Sequence, residues 1–472
     1  MLFSSVPFLF YFLPCVLLVY FLVPGTLKNG VLLLVSLLFY GWGEPRYLLV
    51  MLAAIAQGYV FGLLIEKSRG KRRAGLYLAL SVLLSLGTLA YFKYADFMIR
   101  NLNALTGLSV PLLSLALPVG ISFYTFQILS YTVDVYRGTV SAQRNLIDLA
   151  AYIAMFPQLI AGPIVRYADV AGQIDARSFD AADAFYGATR FCIGLAKKVL
   201  LADAAGKVAA QILDGSAASA TTAAAWLGIV LYTFEIYFDF SGYSDMAIGM
   251  GRIFGFKYPE NFRLPYTSRS ITEFWRRWHI SLGSFFRDYV YIPLGGKKKH
   301  QLLNMAVVWA LTGLWHGASW NFVLWGLYFF VILAAEKTIG EKRLRRIPTI
   351  LRRVGTMLLV ILGWNIFYFT DLTQLLQHFG LLLGLLGAGF SNAQTGIQLV
   401  NNLPLLLVCA IGATSVPQNL GNLFGGVCVQ GGKRSGQIVY ACVTFAFDAA
   451  LLALSTIALV GSTYNAFLYF RF

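Results

Sequence analysis

Long apolar runs separated by short polar stretches set the pattern of this chain. Four such runs open it, at about residues 8–23, 31–42, 47–65 and 76–91. Others follow at about 191–213, 226–250, 356–370, 375–388, 403–415 and 438–460. A crossing of a hydrocarbon core takes roughly 20 apolar residues as an α-helix. The pattern therefore predicts an all-α polytopic membrane protein with roughly 11–14 transmembrane or re-entrant helices, in a single membrane domain over residues 1–472. An alanine-rich connector is expected near 216–225, and a glycine-rich loop at 419–436.

Two runs are too irregular for lipid. Residues 117–127 carry Pro118, Gly120, Ser122, Tyr124, Thr125 and Gln127, so this helix must face the bundle or a watered path. Residues 155–167 hold Pro157 and Pro163, which favours a re-entrant segment or a kinked helix over a straight crossing.

Composition agrees with the pattern. Of 472 residues 58% are hydrophobic and only 12% charged, about half the charge of a soluble domain. The net charge of +16 does not point to nucleic acid. Lysine and arginine collect in the cytoplasmic loops of membrane proteins. Clusters at Lys67–Arg73, at 251–300 and at Lys337–Arg353 are placed there. The middle block sets ten positive residues against three negative. The first run is preceded by no lysine or arginine and followed by Lys28, which reads as an uncleaved helix with its N-terminus outside the cytoplasm. Five scattered cysteines form no C-x-x-C pair and no metal spacing.

The candidate chemistry centres on residues 311–325. One histidine, His316, stands in an apolar run with Trp315, Trp320, Trp325, Gly313 and Gly317 around it. A histidine at membrane depth is costly to charge and should rest neutral, able to take a proton from a hydroxyl. A histidine hydrogen-bonded within a bundle would look the same. With both flanking basic clusters in the cytoplasm, the roughly 35 residues between them must go in and return. Each arm would then fall short of a full crossing, and the turn would lie near mid-bilayer. Glu235, Asp239 and Asp245 need partners, which Arg276, Arg277 or a histidine could supply. Either a structural ion pair lining a cavity or a proton path would use them. Residues 273–282 and 286–296 mix aromatics with arginines, suiting an amphipathic interfacial helix or a pocket for an anionic cofactor. There is no internal repeat, P-loop, G-x-S-x-G or zinc motif.

Four stretches resemble the membrane-bound O-acyltransferase (MBOAT) family: 117–127, 156–167, 234–245 continuing to Pro259-Glu-Asn-Phe, and Phe274-Trp-Arg-Arg-Trp-His-Ile-Ser through Trp-His-Gly-Ala-Ser-Trp-Asn. They define a family-like core at about 90–335. The opening residues and Tyr91-Phe-Lys-Tyr-Ala-Asp-Phe look most like the alginate and cell-surface polysaccharide O-acetyltransferase branch. The resemblance implies a bundle around a central tunnel in the bacterial cytoplasmic membrane. It implies acetyl transfer from cytoplasmic acetyl-CoA to a cell-surface polysaccharide, with no bound cofactor and no metal. It also implies an extracytoplasmic partner transferase, SGNH-type or AlgJ-, AlgX- or PatB-like, beside the membrane lipid. By resemblance His316 is catalytic, His279 is the second family histidine, and the basic block, Arg276 and Arg277 included, holds the CoA phosphates. The aromatic tail at 464–472 resembles the tail of a small partner in teichoic acid D-alanylation, which makes Tyr469 a candidate acyl relay. The oxyanion donor is expected among Asn321, Ser319 and tryptophan indoles such as Trp315. Asp239, Asp245 and Gln127 are expected to line the substrate path. D-alanyl transfer and a proton-coupled transporter or flippase are the alternatives.

Overall fold

The computed structural model describes residues 2–160, 162–429 and 434–461, so Tyr469 and the aromatic tail lie outside the described residues. Among the described residues there is no strand. A π-helical turn at Phe8–Phe12 leads into α1 (Leu13–Leu22), followed by α2 (Lys28–Gly43), α3 (Leu48–Lys67) and α4 (Arg72–Thr106). Then come α5 (Ile121–Arg137), α6 (Leu146–Ala154), α7 (Phe156–Leu159), α8 (Tyr167–Asp175) and α9 (Ala181–Ala196). A second π-helical stretch, Lys197–Ala202, joins α9 to α10 (Asp203–Leu213), and α11 (Thr222–Ile253) follows. Short helices α12 (Ile271–Trp275) and α13 (Ile280–Phe286) precede α14 (Gln301–His316) and α15 (Trp320–Ile339). The chain closes with α16 (Glu341–Leu344), α17 (Thr349–Tyr368), α18 (Leu372–Leu382), α19 (Ala393–Gly412), α20 (Val416–Val429) and α21 (Arg434–Val460). Eight helices among the described residues are long and apolar enough to cross a membrane. Many large apolar side chains, such as Leu22, Leu49, Leu105 and Val460, point outward. A lipid environment removes the cost that such a surface would carry in water.

Two compact units are present. The first takes Met1–Phe191, Ser244–Glu260 and Ser284–Val290. Its centre is α5, whose residues 121–132 are buried without a break, as a helix too polar for lipid must be. It packs on α3, where a Cβ at Gly62 would meet the Tyr131 ring at 2.6–2.9 Å. The proline-broken segment is a broken helix. The helical ladder stops at Met155, and the Phe156 N–H donates to Ser36 Oγ (3.0 Å) instead.

The second unit takes Cys192–Tyr243, Asn261–Gly283 and Tyr291–Phe472. Helices α14 and α15 form a hairpin with its turn at 317–319. Gly313 and Gly326 face each other. A Cβ on Gly313 would run into the Phe322 carbonyl oxygen, and one on Gly326 into that of Trp309. Close helix approach through small residues is the usual packing device in membranes. The arms differ: α14, with 16 residues, is shorter than a full crossing, as the sequence pattern suggested, and α15 is longer. Helix α15 has 20 residues, about 30 Å at 1.5 Å per residue, which is a full crossing. The expectation that both arms fall short of a crossing is therefore corrected for α15.

Two further expectations are corrected. Residues 273–282 are not one amphipathic helix. The chain breaks between α12 and α13, where His279 takes a left-handed φ of 45°. Phe274, Trp278 and His279 are buried instead of spread along an interface. The glycine-rich loop is also largely helical, because α20 runs through Val416–Val429.

Candidate active site

The site is built on the break between α12 and α13. Ser270 caps α12 by accepting from the Glu273 N–H (3.0 Å). Glu336, on α15, accepts from the N–H groups of Ile271 (2.7 Å) and Thr272 (2.8 Å), filling the remaining orphan donors. Beyond α12, residues 261–263 run beside 277–280. The Arg263 N–H donates to the Arg277 carbonyl and the Ile280 N–H to the Asn261 carbonyl. Asn261 Oδ1 then accepts from His279 Nδ1 (3.1 Å), Ser281 N (3.2 Å) and Ser281 Oγ (2.9 Å). An amide oxygen can only accept, so the His279 proton sits on Nδ1 and the lone pair on Nε2. That Nε2 is buried and has no hydrogen-bond partner among the described residues. Burial lowers the His279 imidazole to about 3, so the ring is neutral. A left-handed non-glycine residue is uncommon and is kept where its surroundings enforce it.

His316 ends α14 and is 8% exposed. Its ring meets Trp315 (5.0 Å, 75°), Trp325 (5.0 Å, 81°) and Phe367 (5.3 Å, 82°), all near edge-to-face. Trp315 also touches His279 (5.7 Å between centroids), so one indole contacts both histidines. Trp325 continues into a cluster with Trp275, Trp364 and Phe329. Water is thus kept from one side of the site by rings.

Asn321 is fully buried, and its Nδ2 donates to the carbonyls of Ile366 (3.3 Å) and Phe367 (3.2 Å). It closes orphan carbonyls in the last turn of α17 and sets Phe367 against His316. Both of its amide hydrogens face these carbonyls, so the expectation of Asn321 as an oxyanion donor is corrected to a positioning role. Ser319, half-buried at the start of α15, makes no capping bond. The Trp325 Nε1–H is buried and without a hydrogen-bond partner among the described residues.

The carboxylates find partners other than those expected. Asp239 pairs with Lys198 (2.7 Å), which also pairs with Asp203 (2.6 Å), and Lys198 and Asp239 are both nearly inaccessible. Asp245, in the first unit, pairs with Arg190 (2.8 Å), whose other arm reaches Glu260 (2.5 Å). Arg276 and Arg277 serve neither. Arg277 pairs with Glu273 (2.6 Å) and donates to Thr267 Oγ1 (3.1 Å). Burial works to raise the Glu273 carboxyl, but the bonds from Arg269 and Arg277 outweigh it and hold it below the usual range. Arg276 is exposed, near Glu341. Gln127, in the first unit, is buried with Oε1 unpartnered among the described residues.

Sequence reasoning missed Lys198 and Arg190, which lie some 40–55 positions from their carboxylates in apolar surroundings. It also missed the role of Asn261, although the Pro259-Glu-Asn-Phe stretch was in view. The only signal for Lys198 was a lysine pair, Lys197-Lys198, inside a helical run. No cluster of potential metal ligands occurs among the described residues.

Eight apolar helices among the described residues define a multi-pass membrane protein, with a buried two-histidine centre walled by rings. Residues 139–377 match the model of MBOAT, the membrane-bound O-acyltransferase family. The chain belongs to that family and is an O-acyltransferase. It is 44% identical to the "Probable alginate O-acetylase AlgI" of Pseudomonas aeruginosa over 78% of this chain and 72% of that protein. It is 31% identical to the peptidoglycan O-acetyltransferase of Helicobacter pylori over 100% of this chain and 98% of that one. The teichoic acid D-alanyltransferase of Bacillus subtilis is 32% identical over 53% of this chain and 68% of its own.

Proposed function

We propose that this O-acyltransferase works in the bacterial cytoplasmic membrane. It takes an acetyl group from cytoplasmic acetyl-CoA and delivers it toward hydroxyls of an extracytoplasmic polysaccharide, with His316 as general base. The observation that carries the reading is the seat of His316 at the end of α14, inside the family-matched region and walled by Trp315, Trp325 and Phe367. The names of the relatives at 44% and 31% identity, both O-acetylating enzymes of polysaccharides, support the acyl group and the acceptor class. D-alanyl transfer is the weaker reading, because that relative matches only about half of the chain.

In this mechanism the neutral imidazole takes the proton of the attacking hydroxyl as its oxygen bonds to the acetyl carbonyl carbon. The tetrahedral oxyanion then collapses, the carbon–sulfur bond breaks, and the CoA thiolate leaves with the proton that the imidazolium returns. Trp325 Nε1–H, buried and unspent, is the candidate donor to the oxyanion. His279 offers a fixed acceptor at Nε2 on the donor side. The exposed Arg276 and Lys297–Lys299 are available to CoA phosphates. The attacking hydroxyl belongs to the acceptor or, in a relay, to Tyr469, whose ester an extracytoplasmic partner transferase would pass on.

The test uses purified protein in liposomes with radiolabelled acetyl-CoA, following CoA thiol release and label retained on the protein. The reading expects release from wild type, stimulated by acceptor and partner. Retained label that disappears in Tyr469→Phe would establish the relay. Label that stays would place transfer directly on the acceptor. No thiol release under any of these conditions would overturn the reading.

A further inference from the structure

The second unit carries a patch of cations with almost no carboxylates to answer them. Between Lys337 and Arg353 stand seven lysines and arginines and one acidic residue, Glu341. Arg345 takes that carboxylate (2.6 Å) and, with Arg276 and Arg352 nearby, holds it below the usual range. Lys337, Lys342, Arg343, Arg346 and Arg353 are exposed and form no ion pair among the described residues. Topology asks only for positive charge on the cytoplasmic side, not that the charge go unanswered. Elsewhere in the protein guanidiniums find carboxylates: Arg166 pairs with Asp288 (2.8 Å) and Arg252 with Asp183 (2.7 Å).

Position says what covers the patch. It joins α15 to α17, both long and apolar enough to cross a membrane, so it lies at the bilayer surface. Among the cations, apolar side chains turn outward: Ile347, Ile350, Leu351 and Val354 are 44–65% exposed. A phospholipid with a net negative headgroup answers both features, its phosphate meeting the guanidiniums and its acyl chains the apolar side chains. A soluble anion, such as the phosphates of a nucleotide, answers the charge alone.

The patch also holds α12. Arg352 Nε donates to the Arg269 carbonyl (3.2 Å), just before the Ser270 cap. From the other side Glu336, next to Lys337, accepts from the N–H groups of Ile271 and Thr272 and from the Thr272 hydroxyl (2.7 Å). Just past α12 the chain makes its left-handed turn at His279. A ligand that fixes the patch therefore fixes the footing of the helix that leads to that turn.

We propose that residues 337–353 bind anionic phospholipid headgroups of the cytoplasmic leaflet, and that the occupied patch steadies α12 and raises turnover. The lipid binding rests on the patch alone, and the gain in turnover on the acyltransferase reading.

The test reconstitutes the full-length protein in vesicles of phosphatidylcholine alone and of phosphatidylcholine and phosphatidylglycerol in equal parts. Spin-labelled lipids with either headgroup report protein-bound lipid, and CoA release from acetyl-CoA is followed in the same vesicles. Wild type should hold phosphatidylglycerol in preference to phosphatidylcholine, and its kcat should rise about fivefold or more with phosphatidylglycerol present. Lys342→Gln/Arg343→Gln/Arg346→Gln/Arg353→Gln should lose most of the preference and all of the gain, with KM for acetyl-CoA within about twofold of wild type. Arg343→Lys/Arg346→Lys/Arg353→Lys keeps every charge and should keep both effects, which separates lost charge from a folding defect. Lys71→Gln/Arg72→Gln/Arg73→Gln, at an exposed basic cluster of the first unit, should behave as wild type. Equal retention of the two lipids by wild type would overturn the proposal, as would a preference kept by the glutamine variant or lost equally from the variant at 71–73. A raised KM for acetyl-CoA with the lipid preference intact would also overturn it and give the patch to CoA phosphates. A preference that follows the patch without a gain in kcat would overturn the link to α12. The same preference in protein that releases no CoA at all would sink the acetyl-CoA reading and leave the lipid site standing.

Discussion

The two histidines that share Trp315 sit in different surroundings. His279 is fixed by hydrogen bonds: Asn261 sets its tautomer, and a left-handed backbone turns it inward. Around His316 three rings meet the imidazole, and the glycine contact of α14 with α15 brings the helix end to them. A fixed tautomer serves a group that must keep its lone pair in one direction. A ring-walled seat serves a group whose charge must rise and fall during the reaction, in a space from which water is kept. In the proposed mechanism, proton transfer falls to His316 and the fixed acceptor role to His279.

The comparison can be broken most forcefully at His316 itself. His316→Ala should lower CoA release by about 10³-fold or more, within the range of a lost general base. The fold should remain, because Trp315, Trp325 and Phe367 still pack on one another's neighbours. Asn261→Ala should cost roughly 10–100-fold in turnover through the freed tautomer of His279, while Asn261→Asp, which retains an accepting oxygen, should recover much of that loss. A purely structural Asn261 would instead show matched losses of stability in both variants. Trp325→Phe removes the N–H and retains a ring; a drop of about tenfold in kcat with little change in KM would mark the oxyanion contact. Gly313→Ala sharpens the role of shape. It should destabilise the hairpin by about 1–3 kcal/mol, read as a lower Tm, since the added methyl meets the Phe322 backbone. Asn321→Ala should cost a similar or smaller amount, about 1–2 kcal/mol, by leaving the Ile366 and Phe367 carbonyls unpaired.

Much of the fold was legible because lipid imposes simple rules on sequence. The apolar runs became helices, and Pro157 marked a real break at Met155. The polar helix at 121–132 had to be buried, and it is. What the pattern could not carry was partner choice. Asp239 and Asp245 declared a need for cations, but nothing local said that Lys198 and Arg190 would meet it. Those pairs are made by helix packing across some 40–55 residues. The arginines nearest to hand, Arg276 and Arg277, had more accessible uses. His279 illustrates the same limit: its motif was visible, yet periodicity predicted a continuous helix where hydrogen bonds to Asn261 hold a left-handed turn. Asn321 looked like a reaction donor because its chemistry fits, and only its geometry shows both hydrogens spent on α17.

The measurement that bears most directly on the central claim is kcat/KM for CoA release by His316→Ala and His279→Ala, side by side in the same proteoliposomes at matched folding. The account predicts that His316→Ala falls at least about tenfold further than His279→Ala, a difference of about 1.4 kcal/mol or more in transition-state stabilisation. Turnover of His316→Ala within tenfold of wild type, with His279→Ala inactive, would contradict it and move the base to His279.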